Sequence, residues 1–451
     1  MKPNILLILA DQFRYDCLES VGKNPIKTPN LNRLTKEGTL FSNAYTPTPV
    51  CAPARQALLS GRQADSFGAL WNHDFIPTKT LSPDDDYWTK QLQKVGYKNA
   101  FVGKWNSSSE GSPLLFGFEK YVDVGDYGKF VSERYGKVDY TGGWLGENNP
   151  VPTDLSKTHW LSDNTNAIIE EYAKSENPWH IRLDFTDPHL PCRPSAPFNQ
   201  MYNPKTLPPW DSFGDTLENK PYIQKKQLEN WDIEGMSWED WSPCVARYYA
   251  MITQLDDAVG KVLNKLDSLN LTDNTIIIFS SDHGDTCGGH GMIDKHYILY
   301  DDVTRVPLIV RYPELFKAGE ICDEFVSNCL DIAPTVEEIC ELPMAGKRHG
   351  LSLLKRMKKE GDNFSVSTSN GQQFGLFTQR CIRTMQYKFI WNLTDIDEFY
   401  VITDDPGEKI NLIDDPKYKV IITELKKSLH HALYNLDDPF VKAGWVNKQL
   451  I

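Results

Sequence analysis

Residues 5–10 read Ile-Leu-Leu-Ile-Leu-Ala, a continuous apolar run close to the start of the chain. A second run, Thr-Ile-Ile-Ile-Phe-Ser-Ser, occupies residues 275–281. Short apolar runs without polar alternation are typical of strands in a parallel sheet that is covered by helices on both faces. The two runs therefore predict an α/β fold that is built around a large, mostly parallel sheet.

Polar residues follow each of these runs directly. Asp11 and Gln12 come after the first run, and Asp282 and His283 come after the second. In open α/β sheets ligands bind outside the carboxyl ends of the strands. Carboxylate, amide and imidazole groups can all bind a divalent cation. We therefore expect these four side chains to contribute to one functional site.

Composition places the chain among ordinary globular proteins. It has 451 residues, of which 40% are hydrophobic and 24% charged, and no internal repeat is visible. This length suits one large α/β domain and a smaller one, which we place at residues 1–355 and 356–451. The net charge of −13 argues against a protein that binds nucleic acid or anionic membranes in general.

Cysteine usage and the N-terminus bear on location. The nine cysteines are scattered, odd in number and without a Cys-x-x-Cys motif, which favours free thiols in a reducing compartment. The first apolar run is too short for a membrane span and leads into Asp11 without a cleavage site. We expect a cytoplasmic protein with no membrane partner, although a leader could have been removed.

The stretch from Pro49 to Gly61, Pro-Val-Cys-Ala-Pro-Ala-Arg-Gln-Ala-Leu-Leu-Ser-Gly, predicts a helix that ends at its glycine. The prolines place Cys51 at the junction between loop and helix. A helix N-terminus favours an anion, and Arg55 adds a cation one turn later. Cys51 is therefore a candidate reactive group at an oxyanion site.

The pattern Cys51-x-Pro53-x-Arg55 resembles the signature of the formylglycine-dependent sulfatases, which belong to the alkaline-phosphatase-like superfamily. The resemblance extends over nearly the whole chain and thins at the insertions. It implies an α/β/α sandwich and an additional small C-terminal α+β subdomain with an antiparallel sheet. It also implies that a maturation enzyme oxidises Cys51 to formylglycine, whose hydrated aldehyde is the nucleophile.

By the same resemblance, Asp11, Gln12, Asp282 and His283 hold a divalent cation beside residue 51, and Cys51 is itself counted as the fifth residue of the metal site. Oxygen ligands favour Ca²⁺, while the amide and the imidazole leave Mn²⁺ or Mg²⁺ as alternatives. The Asp-Gln pair is similar to that of choline sulfatases and phosphonate monoester hydrolases, which share the fold.

The resemblance also indicates which residues contact the substrate. Lys104 and Lys295 match lysines that contact the sulfate, and Arg55 adds a third cation. His189 lies between two prolines and matches the general acid that protonates the leaving oxygen. Further substrate contacts are expected from three side chains, Asn72, Arg193 and His290.

Asn106 departs from the family pattern. It stands where the family has a histidine that bonds formylglycine and helps to expel sulfate. Asparagine donates and accepts hydrogen bonds but takes up no proton. We assign Asn106 to the substrate-binding set, and this substitution leaves the base of the second half-reaction open.

Two segments, Ser107–Pro150 and Asn199–Pro243, have the composition of irregular insertions that shape specificity. An amphipathic helix is predicted from Tyr249 to Leu266. Near the C-terminus, short antiparallel strands and a closing helix are predicted over Gln379–Thr384, Tyr387–Trp391, Glu398–Val401 and Val420–Tyr434.

Three functions are compatible with these observations. The first is a sulfatase that acts on a sulfated carbohydrate or an aryl sulfate. The second is a phosphonate monoester or phosphodiester hydrolase with the same nucleophile, which the Asp-Gln pair leaves open. The third is a non-catalytic anion-binding relic, for which Asn106 is the main support.

Overall fold

The computed structural model describes residues 2–73, 77–344 and 346–450. Its larger sheet has eight strands in the spatial order β4-β3-β5-β1-β6-β7-β2-β8. Among these described strands only β7 is antiparallel to its neighbours, so the predicted mostly parallel sheet is confirmed. The strands are β1 (Asn4–Asp11), β2 (Thr39–Tyr45), β3 (Lys98–Gly103), β4 (Lys120–Asp123), β5 (Trp179–Pro188), β6 (Thr275–Ser281), β7 (Leu308–Arg311) and β8 (Glu320–Ser327).

Strand β1 lies in the middle of this sheet, between β5 and β6. Successive side chains of a strand point to opposite faces, so both faces must be covered for a fully apolar strand. Leu6 and Ile8 belong to one hydrophobic core, and Leu7 and Leu9 belong to the other. The unbroken apolar run is therefore explained by burial on both sides.

Helices cover both faces of the sheet. Side chains of α5 and α7 fill one core, and those of α2, α3 and α9 fill the other, which gives the predicted α/β/α sandwich. Among the described helices, none combines the length and the apolar character needed to cross a bilayer. The helices are α1 (Pro29–Glu37), α2 (Cys51–Ser60), α3 (Trp88–Lys94), α4 (Tyr127–Arg134), α5 (Lys157–Tyr172), α6 (Tyr222–Trp231), α7 (Trp238–Ser268), α8 (Asp301–Thr304), α9 (Ile332–Ile339), α10 (Leu353–Arg356), α11 (Lys419–Asn435), α12 (Pro439–Lys442) and α13 (Gly444–Asn447).

A separate antiparallel sheet of four strands follows in the order β12-β11-β10-β9. Helix α11 shares a hydrophobic core with it. The predicted small α+β unit is therefore present, while the boundary at residue 355/356 stays a prediction. Its strands are β9 (Phe364–Gln372), β10 (Gly375–Thr384), β11 (Tyr387–Asn392) and β12 (Glu398–Val401).

The structure corrects the view of both insertions as irregular. Ser107–Pro150 contains β4 and α4, and Asn199–Pro243 contains α6 and the start of α7. Strand β4 is only half-buried, so it lacks the apolar run that marks a central strand. Helix α7 begins well before Tyr249 because Ser237 and Asp240 form a capping box.

Candidate active site

Helix α2 presents Cys51 at its first position, as predicted. The side chain of the preceding Val50 cannot cap the helix, and the Oδ1 atom of Asn72 accepts a hydrogen bond from the Ala52 N–H at 2.8 Å instead. Gly61 ends the helix with a φ of 64°. Asn72 therefore supports the helix that carries Cys51, and its predicted substrate contact stays a prediction.

Four side chains meet at the carboxyl ends of β1 and β6 beside this helix start. One potential ligand atom from each of Asp11, Cys51, Asp282 and His283 lies within 4.8 Å of all the others. The Cys51 Sγ atom is 3.3 Å from His283 Nε2 and 3.8 Å from Asp11 Oδ1. All four residues are buried. The structure therefore brings together four of the predicted metal-site residues.

This donor set fits a divalent cation. If His283 donates its Nδ1–H to the Gly284 carbonyl at 2.9 Å, its Nε2 lone pair is left for the cluster. Two carboxylates supply hard oxygen ligands next to it. Arg55 and Lys104 engage the Oδ2 atoms of these carboxylates, so the Oδ1 atoms of Asp11 and Asp282 are the oxygens that lie closest to His283 Nε2.

Arg55 organises the carboxylates of this cluster. Its Nη2 atom lies 3.1 Å from Asp11 Oδ2, its Nε 3.0 Å from Asp282 Oδ2, and its Nη1 2.6 Å from Asp184 Oδ2. Two further polar contacts, Nη1 with the Lys104 carbonyl and Nη2 with Asp282, engage the remaining donors. The side chain is wholly buried. Arg55 therefore positions ligands, which differs from the direct anion contact that the sequence predicted.

Three further predicted residues border the cluster. Lys104 Nζ lies 2.5 Å from Asp11 Oδ2 and remains 20% exposed. Lys295 Nζ lies 2.8 Å from His189 Nε2 and 2.9 Å from Gln12 Oε1. Two lysines and a histidine thus line the edge of the cluster where an anionic substrate group would enter.

Gln12 is held in an unusual conformation. Its φ of 72° lies in the left-handed region, which is costly for a residue with a side chain and is common at functional sites. Its N–H donates to Asp282 at 3.1 Å and its side-chain amide donates to Asp285 at 2.8 Å. Its Oε1 atom accepts from Lys295, so the predicted metal ligand is engaged by a cation in this structure.

The electrostatic balance favours the thiolate form of Cys51. Burial and the Asp11 carboxylate oppose ionisation, yet the charges of Lys104, Lys295 and His283 lower the pKa of Cys51 well below its usual range. Buried thiols far from cations have raised pKa values instead. The position of residue 51 therefore stabilises negative charge.

The two carboxylates have opposite pKa shifts. Burial alone would raise the pKa of Asp11, but nearby cations, Lys104 foremost, hold it well below its usual range. Burial and the charge of Asp11 raise the pKa of Asp282. Burial opposes charge on His283, but Asp282 raises the pKa of that imidazole. The charges of Asp11, Asp282 and His283 therefore influence one another directly.

A cavity of about 500 Å³ lies beside the cluster. Lys104, His189 and Arg193 line it together, and the substrate contact of Arg193 stays a prediction. Asn106 is half-buried just after Lys104. His290 is placed elsewhere: it is buried, lies 2.6 Å from Asp215 and stacks on Tyr300. That contact does not support the substrate role predicted for His290.

Sequence reasoning missed several residues of this region. Asp184 binds Arg55, Asp285 binds Gln12, and Lys157 lines the cavity. A signal for Asp184 was present, since charged Arg182 and Asp184 alternate with apolar residues in a strand at the centre of the sheet. Lys157 is the first residue of α5 on the surface, where lysines are common, so the sequence did not mark it as a functional residue.

Residues 3–340 match the family model described as Sulfatase. The chain belongs to the sulfatase family. Residues 288–435 of this sulfatase also match the model described as N-sulphoglucosamine sulphohydrolase, C-terminal. The predicted family and enzyme class, a sulfuric ester hydrolase, are therefore confirmed.

Relatives and solved structures resemble this sulfatase over almost its whole length. An ulvan-active sulfatase of Formosa agariphila is 28% identical, covering 99% of this chain and 84% of its own. An arylsulfatase of Clostridium perfringens is also 28% identical, covering 98% and 96%. The phosphonate monoester hydrolase of Agrobacterium radiobacter, 23% identical, superimposes with a TM-score of 0.83 over 96% of both chains and shows the shared fold.

Proposed function

We propose that this sulfatase hydrolyses the sulfate ester of a sulfated carbohydrate or an aryl sulfate, with formylglycine made from Cys51 as its nucleophile. The observation that carries the proposal is the position of Cys51. Cys51 is the first residue of α2 and belongs to the buried ligand cluster. Its Sγ atom lies 3.3 Å from His283 Nε2. The similarity to an ulvan-active sulfatase and to an arylsulfatase supports both substrate classes.

A divalent cation, which we propose to be Ca²⁺ with Mn²⁺ or Mg²⁺ as alternatives, would be held by Asp11, Asp282 and His283, with Gln12 beside them. When bound, it would polarise sulfate oxygens and favour an ionised hydroxyl at residue 51. Arg55 keeps the two carboxylates in place, since all its donors are engaged by the protein.

Lys104 and Lys295 would bind the sulfate oxygens. Lys104 reaches the cavity while paired with Asp11, and Lys295 is held by Asp294 at 3.0 Å. Fixed cations at a site where charge develops stabilise the transition state. Lys104 already faces the cavity, whereas Lys295 must turn from His189 towards the sulfate.

His189 would supply the proton to the leaving oxygen. Its ring lies on the cavity wall, and its Nδ1 is 2.6 Å from the Leu190 carbonyl. With its Nδ1–H donating to this carbonyl, His189 can act as the acid through Nε2 only as the imidazolium, after Nε2 has taken up a proton from solvent. Lys295 now occupies Nε2, so we expect the sulfate to draw Lys295 away as it binds.

A phosphonate monoester or phosphodiester hydrolase is the alternative. The Asp11-Gln12 pair and the superposition on a phosphonate monoester hydrolase favour it. The same cations and nucleophile would serve a phosphoryl group of similar shape and charge. The two candidates differ in substrate and not in the placement of the described residues.

Two measurements test the proposal. The chain is produced with and without a formylglycine-generating maturation enzyme, and mass spectrometry of the peptide that contains residue 51 shows whether conversion occurs. The converted protein is then assayed in parallel on 4-nitrophenyl sulfate, a panel of sulfated saccharides and a phenylphosphonate ester, with Cys51→Ala as the control. We expect sulfate release to exceed phosphonate cleavage, and the reverse ranking would establish the alternative.

A further inference from the structure

Two cations of the cavity wall are not used by the chemistry described above. Arg193 and Lys157 line the same cavity as Lys104 and His189. Their side chains are 28% and 34% exposed, so both are open to a molecule in the cavity. Their position beside the proposed sulfate site raises the question of what they bind.

Both cations are only loosely paired with carboxylates. The Arg193 Nε atom is 3.7 Å from Glu147 Oε1, and Lys157 Nζ is 3.6 Å from Asp187 Oδ1, which exceed hydrogen-bond distances. Within the described ranges, neither side chain donates a hydrogen bond, and the Arg193 Nε atom is buried without a partner. This contrasts with Arg55, whose donors are all engaged.

The guanidinium of Arg193 is held in a defined orientation nevertheless. It lies 4.0 Å from the centre of the Tyr140 ring, and the Tyr140 hydroxyl donates to Asn149 at 2.9 Å. Stacking uses the face of the guanidinium and leaves its N–H edge available for an anion. The insertion that carries Tyr140 and Asn149 thus presents Arg193 towards the cavity.

The local charge is opposite to that of the whole chain. Three cations, Lys104, Lys157 and Arg193, and one carboxylate, Asp187, line the cavity, whereas the chain carries a net charge of −13. Lys104 is already paired with Asp11. Outside this lining, Glu147 lies 3.7 Å from Arg193, so Arg193 and Lys157 each have one loosely placed carboxylate beside them and keep N–H groups that donate no hydrogen bond to a described residue, away from the cluster around Cys51.

We infer that the substrate carries a second anionic group, a carboxylate or a further sulfate, which Arg193 and Lys157 bind while the scissile sulfate meets Lys104 and Lys295. This inference rests on the proposed function and narrows its substrate class. A substrate with a single sulfate would leave two loosely paired cations facing it. A bound anion would receive charge-assisted hydrogen bonds from both.

Binding to a variant that is not expected to turn over substrate provides the first test. In a Cys51→Ala background, calorimetry compares saccharides that differ by one anionic group: D-glucosamine 6-sulfate with D-glucosamine 2-N,6-O-disulfate, and a sulfated disaccharide with and without a uronate carboxylate. We expect the second anion to tighten binding by about tenfold or more in at least one pair, as for a hydrogen bond between charged groups. The pair that responds distinguishes sulfate from carboxylate.

Substitutions assign that gain to the two cations. Arg193→Gln and Lys157→Gln are each expected to reduce the gain to about threefold or less. Lys137→Gln, which removes a cation that is 82% exposed in the same insertion, is expected to preserve it. Equal affinities within both pairs, or a gain that survives both substitutions, would overturn the inference.

Turnover separates this inference from the proposed function. In matured protein, Arg193→Gln is expected to raise KM for doubly anionic saccharides several-fold more than it raises KM for 4-nitrophenyl sulfate, which has one anionic group. An equal rise in KM for 4-nitrophenyl sulfate and for doubly anionic saccharides would contradict a separate anion site. Absence of sulfate release from converted wild-type protein would instead refute the proposed function, and the binding comparison would still report on the two cations.

Discussion

Two wholly buried arginines show how the same arrangement serves different purposes. Arg55 joins Asp11, Asp184 and Asp282 beside Cys51. Arg380 of β10 lies 3.0 Å from Asp65 Oδ1 and 2.6 Å from Asp438 Oδ2. We call these sets the Arg55 network and the Arg380 network. Both neutralise buried carboxylates with one guanidinium.

The networks differ in what lies next to them. The Arg55 network borders a thiol with a lowered pKa, and Lys104 connects it to a cavity. The Arg380 network is closed, because Asp65 also accepts hydrogen bonds from Asn370 and other side chains. It joins the segment after α2 to the C-terminal sheet. We therefore expect damage to the first to affect chemistry, and damage to the second to affect folding.

The largest effect is expected from Cys51→Ala. Loss of the proposed nucleophile should reduce sulfate release to background, while thermal stability stays close to that of the parent because one small side chain is removed. Sulfate release and the melting temperature are measured on matured protein. Full activity in this variant would mean that the Arg55 network does not surround the nucleophile.

His189→Ala tests the edge of the same network. We expect kcat to fall by about 10² to 10⁴, the range for loss of general acid–base catalysis. The loss should be smaller for an aryl sulfate with an activated leaving group, since that oxygen needs less protonation. An equal loss for good and poor leaving groups would exclude His189 as the acid.

Arg380→Met should instead destabilise the fold. It leaves Asp65 and Asp438 buried without their shared cation, and breaking buried pairs costs about 3–5 kcal/mol. Urea unfolding measures this loss, and specific activity per folded molecule at low temperature should be unchanged. The control Lys94→Gln removes an exposed ion pair with Asp86 and should change stability by less than about 1 kcal/mol.

His180, which is part of neither network, is expected to make the stability of the fold depend on pH. Both its ring nitrogens are buried without a hydrogen-bond partner among the described residues, and burial together with the charge of Arg182 lowers the pKa of His180 to about 3. The unfolded chain binds this proton near pH 6.5, so stability is complete above that pH and falls as the pH drops towards 3.

Urea unfolding at pH 7, 6 and 5 measures how the free energy of unfolding changes with pH. His180 alone contributes up to about 1.4 kcal/mol per pH unit in this window. His180→Leu should flatten the acid side of the curve, whereas His431→Gln, on the exposed side of α11, should not. An unchanged slope in His180→Leu would assign the acid sensitivity to other groups.

The smallest effect is expected from Asn106→His. The half-buried position follows Lys104 and has a φ of 40°, a region in which asparagine and histidine are both enriched. A histidine would restore a base at the edge of the Arg55 network, so we expect activity to be retained or to rise. A marked fall in sulfate release without loss of stability would show that the amide itself is needed.

The sequence predicted the sheet and the main cluster because their signals are local. The apolar runs at 5–10 and 275–281 identify central strands, and the polar residues after them meet at one sheet edge. The engagement of every Arg55 donor could not be predicted, because it depends on Asp184 from a strand that is distant along the chain. Strand β4 was missed since its half-buried residues show no apolar run.

The contacts of His290 could not be predicted for a similar reason, and its substrate role stays a prediction. Its neighbourhood in the chain resembles the family, but its partners Asp215 and Tyr300 come from other segments that only the fold brings together. Contacts between residues that are far apart along the chain leave no periodic pattern in the sequence. Site residues on strand ends were therefore easier to place than those on loops.

The central position of β1 has a consequence for synthesis on the ribosome. Ile5 pairs with His180 on one side and Ile276 on the other, so β1 waits for partners that are made much later. At about 5–20 residues per second, this interval lasts roughly ten seconds to a minute. During that time a six-residue apolar segment is unshielded, and nascent chains that stall before residue 281 should be rich in chaperone-bound and aggregated material.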